Sequence, residues 1–120
     1  MSLIAIMSVL LVASGFIIAA AISRHSLLEA SNEIRELITT EFALLRRAHA
    51  ICIFIVIGAI FLLPSYNWGI GFLYISVMTT LSVLKLNKLP IPKSSKNGQF
   101  LSMLSVFVGY TAGAITSLWV

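Results

Sequence analysis

The chain has 120 residues, of which 59% are hydrophobic and 10% are charged, whereas about a quarter of the residues in a soluble protein are charged. The high hydrophobic fraction and the low charged fraction argue against a soluble monomer. The formal net charge of +4 does not require a nucleic acid partner, because the basic residues adjoin apolar segments, where anionic lipid headgroups are the expected contact.

Four apolar segments are predicted to cross a membrane as helices, at about 3–22, 48–63, 68–84 and 100–120. The first has about 20 residues, which at about 1.5 Å per residue matches a hydrocarbon core of roughly 30 Å. No basic residue precedes it, so we expect a membrane helix there and not a cleaved signal. We therefore predict an all-α, polytopic integral membrane protein, with a single membrane domain over residues 1–120.

Between the first two spans, residues 24–47 are predicted to form an amphipathic cytoplasmic helix. This segment has no Gly or Pro, is rich in helix-forming residues, and gathers its apolar side chains on one face. No glycine or proline separates this segment from the first span, so the helix of the first span can continue into residues 24–47. We expect the chain to reverse at Ser31–Asn32 or at Thr39–Thr40.

The other two connections are predicted to be a tight turn and a loop. Pro64, Ser65, Tyr66 and Asn67 are turn formers between the second and third spans, and they predict a membrane hairpin. Residues 85–99 contain two prolines and one glycine, which indicate a lysine-rich surface loop.

All eight Lys and Arg residues lie within 24–47 and 85–96. Because basic residues accumulate in short cytoplasmic loops, both segments are predicted to face the cytoplasm and both termini to lie on the opposite side. Glu41 falls within the apolar arc of the connector and is expected at a solvated boundary, with Arg46, Arg47 or an arginine of another subunit as alternative partners. The residues expected to contact the lipid surface or a partner are Arg46, Arg47, Lys85, Lys88, Lys93, Lys96 and Glu41.

Small residues recur at every fourth position along one face of two spans. The fourth span contributes Ser105, Gly109, Gly113 and Ser117, and the first contributes Gly15, Ala19 and Ser23. Such strips let helix backbones approach closely, which favours association in lipid. Packing within the monomer and packing against another chain are equally compatible with this pattern.

Two histidines, His25 and His49, are predicted at the cytoplasmic edge, where together they could ligate a haem or a metal. Cys52 is the only other plausible soft ligand, and no carboxylate has ligand spacing to either histidine, so we expect no metal site. An interfacial histidine is more commonly a polar anchor. The cofactor is therefore unknown, and we expect none.

The pattern favours a small non-catalytic accessory or scaffolding subunit, with membrane lipid and other membrane subunits or copies of itself as partners. The spans contain no charged residue, and no phosphate loop or paired nucleophile and base is present, so we expect no enzyme acting by itself. An oligomeric pore former, such as a small channel or a holin-like protein, is the alternative, because the third span is polar. A haem or quinone site at the cytoplasmic edge is the least favoured function.

Overall fold

The computed structural model describes residues 3–63 and 65–118, and over these residues the chain is all-helical. The elements are α1 Leu3–Glu29, α2 Asn32–Glu41, α3 Ala43–Leu62, α4 Trp68–Lys88 and α5 Lys93–Ser117. Four of these five helices, all except α2, are long and apolar enough to cross a membrane. The predicted helical class and the four long apolar helices are therefore confirmed.

The centre of the bundle is an antiparallel pair formed by α1 and α5. A Cβ atom built on Gly109 would lie only 2.5 Å from the Cα of Gly15, so the two backbones are in direct contact. Near the ends of the pair, Gly113 adjoins Val12, and Ser23 bonds to Gln99. Helix α4 packs on α5 and helix α3 packs on α1, which gives a bundle of 47 × 21 × 18 Å.

The connector over 24–47 is helical, as predicted, but it is divided among three helices and is not one amphipathic helix. Helix α1 continues to Glu29, and the chain reverses at Ser31, the first of the two expected positions. The Ser31 side chain caps α2 by accepting from the Ile34 N–H. A second break follows at Phe42, before α3 begins.

The predicted loop over 85–99 is also wrong, because α4 extends to Lys88 and α5 begins at Lys93. Only residues 89–92 separate the two helices. Pro92 directly precedes the first residue of α5. A residue at this position makes no helical hydrogen bond through its N–H, so the missing N–H of proline costs nothing there. The Pro92 carbonyl accepts the hydrogen bond from the Lys96 N–H. The prolines therefore mark a helix start and not a longer loop.

Both basic segments lie at one end of the bundle, which we call the basic end. There the apolar face of α2 packs on the end of α4 and on the turn that follows it, in a cluster of Ile38, Phe42, Leu86, Leu89 and Ile91. This contact folds α2 back against the bundle. Ile38 and Phe42 of the predicted apolar arc are thus buried within the monomer, whereas Leu44 is 78% exposed.

The opposite end is closed by aromatic side chains. Tyr110 is fully buried, and its hydroxyl donates to the Trp68 carbonyl at 2.8 Å. The rings of Trp68 and Tyr110 are 5.3 Å apart, and the Tyr66 ring meets Trp68 edge-on at 5.2 Å. These contacts tie the start of α4 to α5.

Candidate functional site

A cavity of about 350 Å³ lies towards the basic end, between the central helix pair and the elements α2, α3 and α4. Its mouth lies between α1 and α3, where Ala20, Arg24 and Arg46 are exposed. Its inner wall is made by buried residues, among them Val106 and Ile38. Helix α2 contributes Ile38 to this lining.

The deep polar side of this cavity is supplied by α1 and α5. The Ser23 hydroxyl donates to the Gln99 Oε1 atom at 3.1 Å, and Gln99 is only 7% exposed. The Gln99 amide nitrogen reaches only the Ser23 carbonyl, at 3.5 Å. Ser102, one turn further along α5, donates to the Ala19 carbonyl at 2.6 Å. Gln99 thus retains donor capacity towards the cavity, because an amide nitrogen carries two N–H groups.

Two arginines stand at the mouth of the cavity without an acidic partner. Arg46 donates to the Thr39 carbonyl at 3.0 Å, and Arg24 makes no hydrogen bond or ion pair with any described residue. No carboxylate from residues 3–63 or 65–118 lines this cavity. The mouth is therefore positively charged.

His49 lines the same cavity, whereas His25 does not. The Nδ1 atom of His49 is 3.0 Å from the Leu45 carbonyl, and because a carbonyl only accepts, Nδ1 holds the proton. His25 is largely exposed and lies 3.1 Å from Glu29, one turn along α1. The two histidines thus have separate surroundings. Among the described residues no group of three or more His, Cys, Asp and Glu side chains is placed to hold a metal.

The small-residue strips of α1 and α5 face each other. Gly15 lies against Gly109, Ala19 receives the Ser102 hydroxyl, and Ser23 bonds to Gln99. Gly113 fits against Val12 and the Ser8 carbonyl. The remaining members, Ser105 and Ser117, bond back to their own helix. In this structure the strips join two helices of one chain.

The predicted surface residues are distributed around the basic end. Glu41 lies 3.7 Å from Lys85, and neither Arg46 nor Arg47 is its partner. Lys85 also lies 5.8 Å from the centre of the Phe42 ring. Lys96 donates to the Asn87 carbonyl at 3.2 Å. Arg47, Lys88 and Lys93 are exposed.

The cavity lining includes residues that the sequence pattern does not mark as site residues, among them Arg24, Gln99 and Ser102. Gln99 and Ser102 continue the inner face of α5 that Val106 and Tyr110 occupy, at helical spacing. The predicted loop over 85–99 ends this helical pattern before Gln99, so the sequence does not place Gln99 on the same face as Ser102. No known protein family, no curated protein and no solved structure matches this chain.

Proposed function

We propose that this chain is a multi-pass membrane protein with its basic end in the cytoplasm, and that it acts as a non-catalytic accessory or scaffolding subunit. It associates with a larger membrane protein or with copies of itself. This role is supported by its shape, by its charge distribution and by one face of α3.

The shape and the charges support the membrane placement. The bundle is 47 Å long, close to the roughly 40–45 Å of a bilayer with its headgroup regions. Its Lys and Arg residues gather at one end, which agrees with the excess of basic residues on the cytoplasmic side of membrane proteins.

The outer face of α3 is the observation that supports a packing role. At 100° per residue, the large apolar side chains that α3 exposes fall within an arc of about 120°. Gly58 lies at the centre of this arc, and a Cβ atom at this position would meet nothing within 4 Å. The large exposed side chains around it are Ile51, Phe54, Ile55, Phe61 and Leu62.

A glycine in this position forms a notch in an apolar ridge. Glycine costs about 1 kcal/mol relative to alanine inside a helix, so its presence within α3 is unfavourable for the isolated helix. A notch of this kind lets the backbone of a neighbouring helix approach and gain dispersion contacts, which drive association in lipid. We infer that the partner helix packs over Gly58.

The test is recovery of partners from native membranes. The tagged full chain is extracted in a mild neutral detergent, and accompanying proteins are identified by mass spectrometry. Gly58→Leu fills the notch, and we expect it to reduce recovery of the partner at least about tenfold, equivalent to about 1.4 kcal/mol. Val77→Leu adds volume on the exposed face of α4 and is expected to leave recovery unchanged. A lone monomer, with nothing reproducibly recovered, would contradict the proposal.

The pore interpretation receives less support from the contacts. The small strip of α5 is covered by α1, and Ser82 and Thr80 of α4 donate back to carbonyls of their own helix. Conductance across a planar bilayer, or lysis on expression, would nevertheless favour a pore over a scaffold.

A further inference from the structure

The cavity at the basic end combines a cationic mouth with an apolar interior. Arg24 and Arg46 stand at the mouth, while Phe16, Met103 and Val106 line the interior. This combination suits an amphipathic anion. We propose that the cavity binds the phosphate-bearing headgroup and the adjoining acyl segment of an anionic membrane phospholipid.

The arginines supply the charge recognition. A guanidinium presents its N–H groups as a planar fork that matches the oxygens of a phosphate group. Arg24 is not engaged by any described residue, and Arg46 donates only to the Thr39 carbonyl. Both side chains can therefore turn to a phosphate without breaking an internal ion pair. Basic pockets between helices on the cytoplasmic side are a known form of recognition for anionic lipid headgroups.

Two neutral polar residues of the cavity supply one hydrogen-bond donor and one acceptor. Gln99 keeps an N–H group directed to no close partner, and His49 holds its proton on Nδ1, which leaves Nε2 as an acceptor. These groups suit the hydroxyl and ester oxygens of a glycerol-linked headgroup. A carboxylate would repel the phosphate, and none from the described residues lines the cavity.

The size and position of the cavity identify which part of a lipid it holds. A volume of about 350 Å³ is at the lower end of the roughly 300–1,000 Å³ of small-molecule pockets, so it accommodates a headgroup and an upper chain segment. The exposed lining residues Ala20, Arg24 and Arg46 belong to α1 and α3, so the rest of each acyl chain can extend between these helices into the surrounding leaflet. An inorganic anion would leave the apolar wall of Phe16 and Val106 unused.

This inference rests on the proposed membrane placement but not on the accessory role. The full chain is purified in a neutral detergent and offered phosphatidylglycerol or phosphatidylcholine with identical acyl chains. Retained lipid is measured by native mass spectrometry. The matched variants are Arg24→Gln with Arg46→Gln at the mouth, and Arg47→Gln with Lys88→Gln. The second pair removes the same charge from exposed residues that can contact the lipid surface but do not line the cavity, so it separates general surface attraction from binding in the cavity.

We expect the wild-type chain to retain phosphatidylglycerol in preference to phosphatidylcholine. The mouth variant should lose this preference by at least about tenfold, since a hydrogen bond from an arginine to the bound phosphate contributes on the order of a tenfold change in affinity. The control variant should keep most of the preference for phosphatidylglycerol. Ala20→Phe, which obstructs the mouth without changing charge, should also release the lipid. Circular dichroism checks that each variant keeps its helices.

Three results would overturn the inference. The first is equal retention of both lipids by the folded wild-type chain. The second is an equal loss of the preference for phosphatidylglycerol in the mouth and control variants. The third is release of phosphatidylglycerol by soluble glycerol phosphate or inorganic phosphate, which would assign the mouth to a free anion. Failure of the accessory role would appear separately, as a chain that retains the lipid but recovers no protein partner.

Discussion

At the scale of single residues, the contact between Gly15 and Gly109 determines how closely the two central helices approach. A Cβ atom on Gly15 would lie 2.8 Å from the Gly109 Cα, and a Cβ atom on Gly109 would lie 2.5 Å from the Gly15 Cα. Both obstacles are backbone atoms, which cannot rotate away as a side chain can. Any side chain at either position must therefore push the helices apart.

We predict that Gly109→Ala destabilises the protein by about 1–3 kcal/mol, the usual cost of overpacking a well-packed contact. Gly58→Ala is the matched control, because that position has open space and alanine favours the helix by up to about 1 kcal/mol. Unfolding of both variants in detergent micelles by denaturant measures the difference. Equal stability of the two variants would show that the close α1–α5 contact is absent in solution.

At the scale of elements, the turn between α1 and α2 depends on Arg35. Its Nε atom donates to the Leu27 carbonyl at 2.9 Å, and its Nη2 atom approaches the Leu28 and Ala30 carbonyls at 3.3 and 3.4 Å. The Leu27 and Leu28 carbonyls lie in the last turn of α1, where i+4 helical partners are missing, and the Ala30 carbonyl lies just beyond that helix. The arginine side chain thus serves as a cap from the next helix.

We predict that Arg35→Gln loosens this turn, at a cost of about 1 kcal/mol for the lost hydrogen bonds. Amide hydrogen exchange of the peptides covering 27–38 should accelerate, while exchange in α5 stays unchanged. Arg47→Gln removes the same charge from an exposed side chain and should leave the exchange of these peptides unaltered. A similar acceleration in both variants would indicate an effect of net charge and not of the cap.

At the scale of the whole molecule, the arrangement of charge predicts the topology. The two basic segments are far apart in sequence, but Glu41 pairs with Lys85, and a Cβ atom on Gly98 would overlap the Ser26 side chain. These contacts bring α2 and the start of α5 to one end of the bundle. A membrane-embedded bundle must then expose both segments on the same side.

We predict that Glu33→Cys and Lys93→Cys react with an impermeant maleimide only from the cytoplasmic face, and Ser65→Cys only from the opposite face. All three positions are exposed, and buried Cys52 is first replaced by serine so that each variant has one thiol. Labelling is compared in sealed vesicles of both orientations. Reaction of Glu33→Cys and Lys93→Cys from opposite faces would contradict the proposed topology.

Periodicity and composition predicted the long helices well but predicted the boundaries near charged residues poorly. Lys93 to Gln99 contains polar residues and a glycine, which suggested a loop, yet these residues form the first turns of α5. Helix propensity is a weak local preference, and packing of Gln99 and Ser95 against the bundle outweighs it here. For the same reason, the break at Phe42 has no clear sequence signal, because the burial of Phe42 beside Leu86 depends on distant residues.

The sequence by itself determined the four long apolar helices and the confinement of Lys and Arg to two segments, because both properties are local in the chain. The tertiary structure decided that the strips around Gly15 and Gly109 meet each other, that α2 folds back onto α4, and that Arg24, His49 and Gln99 line one cavity. These contacts join residues far apart in sequence, and each depends on which helix faces which. Helix pairing is decided by the fit of whole surfaces, which no local pattern contains.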